Sequence, residues 1–224
     1  MLTVYLGESF MGKEIVDPAA PDPEETRKAT CDALKRIYLI IAGLAIAQAL
    51  TRTFTDQNGF LGAKLLDSEH INQVLLVIAF LPTIVRFAHG SVMHLTAMTG
   101  ANKWQWDMFG LIFQAILFFV TSLTTSDINL FLMFLVGIFI LDTGWLFVLG
   151  FLGHPFRSME HQWIASNIIL CLLLGLLWCL RHYNHLSDFG IATLVTLVLW
   201  IATGLDYVLN KNEYFPRGAK PPTS

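Results

Sequence analysis

Long apolar runs alternate with short polar breaks along this chain, and most of the runs are too long to be strands. Crossing about 30 Å of hydrocarbon takes roughly 20 helical residues. Six segments reach or approach that length, at about 34–54, 70–96, 105–125, 128–152, 161–181 and 188–209. The first is free of charge only between Arg36 and Arg52, so both its ends must snorkel toward the headgroups. The second contains Pro82, which predicts a kink. The sixth follows the turn HYNHLSD, with Ser187 or Asp188 placed to cap it. Upstream, Asp22, Pro23, Glu24 and Glu25 spell a helix start: a capping acid, a proline at the first position, and acids at the positive end of the dipole.

These elements predict an all-α integral membrane protein, a bundle of six transmembrane helices. Its parts are a cytosolic N-terminal arm and helix start (1–30), the six-helix domain (31–210) and a cytosolic C-terminal tail (211–224). The connections are short, so sequential helices should be antiparallel neighbours.

Composition supports the membrane reading. Of the 224 residues 54% are hydrophobic and 14% charged, and the mean hydropathy is +0.58. Soluble domains carry roughly 25% charged residues. A net charge of −3 without a basic stripe excludes a nucleic-acid partner. Cys31, Cys171 and Cys179 offer no disulfide framework, and the last two stand about 12 Å apart along one helix. The partner that composition does imply is the lipid bilayer, with a homo-oligomer or a larger membrane complex left open.

Orientation follows from Lys and Arg. Lys13, Arg27, Lys28, Lys35, Arg36, Lys103, Arg157, Lys211, Arg217 and Lys220 fall on one side of a six-span topology. Arg52, Lys64 and Arg181 fall on the other, and Arg86 lies within the second span. The excess places both termini in the cytosol, in a cell (inner) membrane protein.

With that topology the ionisable groups gather in the cytosolic half. The stretch RFAHGSVMHL contributes Arg86, His89 and His94 within a face about 140° wide. Asp107, Gly110 and Gln114 align on the third helix, and Asp142 interrupts the apolar fourth. Glu160 and His161 open the fifth, where Glu160, Asn167 and Cys171 share a face. Asp206 stands at the margin of a sixth-helix stripe of Thr196, Trp200, Thr203, Tyr207 and Asn210. Ionised groups facing lipid cost several kcal/mol or more, so these stripes should face one another. By depth, Asp142 and Asp107 are the expected partners of Arg86.

Three functional classes fit this pattern. The first is a channel or transporter for an ion or small solute, with the cluster Arg86, His89, His94, Asp107, Gln114, Asp142, Glu160, His161, Asn167 and Asp206 lining its path. The second is a non-catalytic subunit or effector of a larger complex. The third is a metal- or haem-dependent membrane enzyme, for which His and carboxylate ligands are present but HxxxH and HExxH spacings are absent. Ser91 and His94 alone are similar to the Ser/His element of ceramidase-like intramembrane hydrolases, but the paired HxxxH of those enzymes is missing. Neither a particular cofactor nor a catalytic residue follows from the sequence, and the transport class is the leading expectation.

Overall fold

A computed structural model describes residues 22–55, 68–97, 104–153, 158–183 and 185–215, with side chains at all of these except 23, 68, 69, 97 and 104–107. The helices are α1 (Pro23–Phe54), α2 (Ser68–Ala97), α3 (Trp104–Ser122), α4 (Ile128–Phe151), α5 (Ser158–His182), α6 (Asp188–Leu209) and the single turn α7 (Lys211–Tyr214). All but α3 and α7 are long and apolar enough to cross a membrane; α3 is apolar over the shorter stretch Met108–Ser122. The protein is thus all-helical and of multi-pass membrane type over the described residues.

The helix starts are set by their caps. Asp22 accepts from the Glu24 N–H at 3.0 Å ahead of Pro23. Asp127 caps α4 through the Asn129 and Leu130 N–H groups. Ser187 caps α6 through Gly190 at 3.2 Å. Each side-chain oxygen satisfies amides that the helix itself leaves unbonded.

Packing order departs from chain order. The helices close a ring in the sequence α1, α2, α6, α5, α4, α3 and back to α1. Side-chain bonds give the directions. Arg52 near the end of α1 donates to the Leu123 carbonyl just past α3, so α1 and α3 are parallel. Thr196 and Arg86 tie α6 to α2 in parallel, at Leu75 and Asp206. α4 and α5 are antiparallel, with Arg181 at Asn129 and Asn167 at Asp142. The expected pairing of neighbours in sequence is therefore weak for α2 and α3, because α3 lies mainly between α1 and α4.

α2 is the most enclosed of the long helices, and it runs unbroken through Pro82. A proline there has no N–H to give the carbonyl four residues back, which is that of Ile78. The Trp200 indole of α6 donates to the Ile78 carbonyl at 3.1 Å, and one turn away Thr196 donates to Leu75 at 2.9 Å. The sixth-helix polar stripe is thus partly a set of donors for the α2 backbone. In lipid, where no water can substitute, such donors keep a proline-containing helix intact.

Toward the other end of the bundle the centre is filled by aromatic rings. Phe131, Phe80, Phe118, Phe87 and Phe139 form a continuous run of ring contacts, with centroids 5.4–6.1 Å apart. They come from α2, α3 and α4, and all are buried. Tilted and edge-on ring pairs at these separations add to plain burial.

The donor role of Trp200 is testable. Trp200→Phe keeps the ring area but leaves the Ile78 carbonyl unpaired, and should lower stability in detergent by about 1 kcal/mol. Chemical or thermal denaturation measures this. An unchanged midpoint would remove the indole N–H from the account of Pro82.

Candidate functional site

Two polar networks occupy the half of the bundle at the C-terminal end of α2. The first is built around Asp206, in the last turn of α6. Its Oδ2 accepts from Arg86 Nε at 3.3 Å and from the Tyr214 hydroxyl at 2.7 Å. Its Oδ1 accepts from Trp163 Nε1 at 3.1 Å and from Asn210 Nδ2 at 2.8 Å. Arg86 also donates to Ser166. Both charged residues are only 5% exposed. This is a closed ion pair, with four donors meeting the carboxylate, as burial of a charge requires. The pair corrects the expectation from depth: the acid that Arg86 meets is Asp206 rather than Asp142, and the side chain of Asp107 lies outside the described residues.

Local geometry makes the hub possible. α7 turns the chain back after Asn210, so that Tyr214 tucks beneath Asp206 with 4% exposure. Trp163 reaches Asp206 by passing over Gly90 of α2. A Cβ at that position would run into the indole ring.

The second network runs through Gln114 of α3. Gln114 donates through Nε2 to Asp142 Oδ1 at 3.0 Å, and Asn167 Nδ2 donates to Asp142 Oδ2 at 2.7 Å. The Gln114 carbonyl accepts from Tyr38 at 2.8 Å and from Ser91 at 3.4 Å. Asp142 therefore meets two neutral carboxamides rather than a cation. The Asn167 carboxamide oxygen is buried without a hydrogen bond of its own.

Beside Asp142 lie two small cavities. One, of about 30 Å³ open to the centre of a water-sized sphere, is bounded by Ser91, His94, Gln114, Asp142, Trp145 and Trp163. The other, of about 20 Å³, lies between Arg86, Ser91, Asp142 and Trp163. A single water needs about 10–15 Å³ by this measure, so each site has room for one or two waters, with a few polar groups set in walls that are mostly apolar. Trp145 approaches closely because α3 has Gly110 beneath it; a Cβ there would stand 2.6 Å from the ring.

His94, in the last turn of α2, faces Glu160 in the first turn of α5, with Nδ1 to Oε1 at 3.1 Å. The contact is an ion pair when the imidazole is protonated and a neutral hydrogen bond otherwise. Both residues are buried, Glu160 completely.

The structure thus brings together Arg86, His94, Gln114, Asp142, Glu160, Asn167 and Asp206. His89 is half-buried in an aromatic cluster that joins the Asp206 hub through Tyr214. Its Nδ1 lies 3.0 Å from the Tyr207 hydroxyl, and its ring packs on Tyr214 at 4.5 Å. His161 is exposed. The side chain of Asp107 lies outside the described residues. Tyr38, Ser91, Trp163, Ser166 and Tyr214 belong to the networks but were not singled out as site residues. Their helical phase offered a signal only for Ser91, three residues from His94, and Trp163, three from Glu160. Among the described residues no three His, Cys, Asp or Glu side chains converge as metal ligands.

No protein-family model, curated protein or solved structure matches this chain.

The hub makes a stability prediction. Arg86→Met strands a buried carboxylate and should cost on the order of 3 kcal/mol. The double substitution Arg86→Met with Asp206→Asn removes both charges and should recover most of that loss. Denaturation midpoints in detergent decide the matter. Equal midpoints for the single and double variants would mean that the charge itself is not what the hub holds.

Proposed function

We propose that the protein is a membrane transporter that couples to protons, with Asp142 as the group that takes up and releases the proton. The carrying observation is that Asp142 lies midway along α4, meets only neutral donors, and borders two water-sized cavities. A carboxyl group in that setting changes charge without breaking an ion pair. Intramembrane acids facing a bundle interior are the usual proton-handling groups of pumps and transporters.

His94 and Glu160 supply the approach. Glu160 stands at the end of α5, His94 reaches it, and His94 shares the larger cavity with Asp142. A proton passes from the Glu160–His94 pair through water in the cavity to an Asp142 oxygen, and imidazole suits this relay near neutral pH. On the far side the phenylalanine stack closes the path, and at the near end the buried His94–Glu160 pair stands between the cavity and the end of the bundle. α3 serves as the sixth span. The Lys and Arg distribution puts the Glu160 end in the cytosol, with both termini inside and the bundle in the cell membrane.

The metal-enzyme reading draws no support from the geometry, because among the described residues no three His, Cys, Asp or Glu side chains converge. Reconstituted protein with a pH-sensitive dye in the vesicle lumen tests the transport reading. Asp142→Asn preserves the shape and lets the two carboxamides re-pair, so the protein should remain monodisperse while proton flux falls at least tenfold. Flux equal to that of the parent would overturn the assignment of Asp142.

A further inference from the structure

At the end opposite the polar networks, the outer faces of α4 and α5 border an open, largely apolar groove of about 840 Å³. Leu130, Met133, Val136, Ile140 and Trp178 line its length. Two glycines widen it, Gly137 on α4 and Gly175 on α5. Glycines in membrane helices usually serve close helix contact. Here a Cβ at either position would meet nothing within 4 Å. The missing side chains make space.

The mouth of the groove is polar. Arg181, in the last turn of α5, grips Asp188 through Nε at 2.8 Å and through a second nitrogen at 3.2 Å. It also donates to Asn129 of α4. His182 lies beside it, stacked on Trp178 at 5.6 Å. The same Arg181–Asp188 pair forms the wall of a polar pocket of about 420 Å³, together with Asn72, Gln73, Asp127 and Asn129. One side of the pair is therefore polar and the other apolar, as suits a position at the headgroup boundary. Its charges have both signs, and the Asp188 side chain is 52% exposed.

From this geometry we infer that the groove is a site for one zwitterionic aminophospholipid. An acyl chain lies along Gly137 and Gly175, the phosphate meets Arg181 and His182, and the ammonium meets Asp188. An anionic headgroup would meet Arg181 equally well but would be set against the Asp188 carboxylate. The mouth selects an amphiphile with a positive end as well as a negative one.

Purified full-length protein in detergent tests this, with phosphatidylethanolamine and phosphatidylglycerol of identical acyl chains as probes. Phosphatidylethanolamine should raise the thermal midpoint of the parent by several degrees, and by clearly more than phosphatidylglycerol does. Gly175→Leu, which fills the groove, should abolish the difference, and Asp188→Asn should erase the preference between headgroups. A second measurement does not depend on the folding of either variant. Phosphatidylethanolamine brominated on its acyl chain should quench the part of the tryptophan emission that Trp178→Phe removes. No quenching of that component, an equal or greater shift with phosphatidylglycerol in the parent, or an undiminished preference in Gly175→Leu would each overturn the proposal.

Discussion

A carboxylate and a guanidinium buried in a helical bundle have no water to fall back on, and the arrangement of this protein follows from that constraint. Asp206 must receive donors on both oxygens, and no single helix supplies them. Arg86 comes from α2, Trp163 from α5, Asn210 from the end of α6 and Tyr214 from α7. Meeting this need sets α2, α5 and α6 side by side and obliges the chain to turn back after Asn210. It also explains Gly90, the only residue type that lets the Trp163 ring pass. Remove the charge pair, and the reasons for these features disappear together.

The two polar networks obey the same physics with opposite consequences. Asp206 is held by a cation and three further donors, so a change in its charge would strand Arg86 in a medium that penalises unpaired ions. Asp142 has no such partner to strand. Its two amide donors are neutral and adjacent space can admit water, so loss or gain of a proton there requires only local reorientation. The hub is suited to fixing the fold, and the Asp142 chamber is suited to working within it. Division of labour between a rigid charge pair and an adjustable acid is a consequence of hydrogen-bond accounting, with no appeal to resemblance.

Much of the frame was legible from the order of residues. The caps Asp22 and Ser187 are read directly, and most of the long-helix limits follow from the apolar runs to within a few residues. The first helix is the exception, beginning at the Asp22 cap rather than at the apolar run. The inward phase of Gly110 and Gln114, and of Glu160 and Asn167, follows from the helical repeat. The partner of Arg86 did not. Depth along separate helices ranks Asp142 and Asp107 nearest, but α6 lies against α2 in parallel, and a long guanidinium stem reaches along it to Asp206. Ring order is a tertiary property that local periodicity does not encode. Tyr214 was hidden for a related reason: a single helical turn beyond Asn210 has no period to detect. Pro82 was legible as a break in the amide ladder, whereas its remedy, an indole from a helix more than a hundred residues on, was not.

The division of the bundle into a polar half and a phenylalanine half limits what any transport cycle can do. Asp142 sits at the boundary, and Phe139, three residues earlier on the same helix, is the last ring of the stack. If Asp142 takes up a proton as proposed, that proton advances no further while α2, α3 and α4 keep their present contacts. α2 is pinned by the ion pair and by the Trp200 and Thr196 donors, so it is costly to displace. α4 is held there as well: Phe131 packs on Phe80, Phe139 packs on Phe87, and Asn129 accepts from Arg181. At Asp142 its contact with α5 is a neutral amide. Any cycle that carried a proton past Asp142 would have to break the ring contacts of Phe131 and Phe139 with α2.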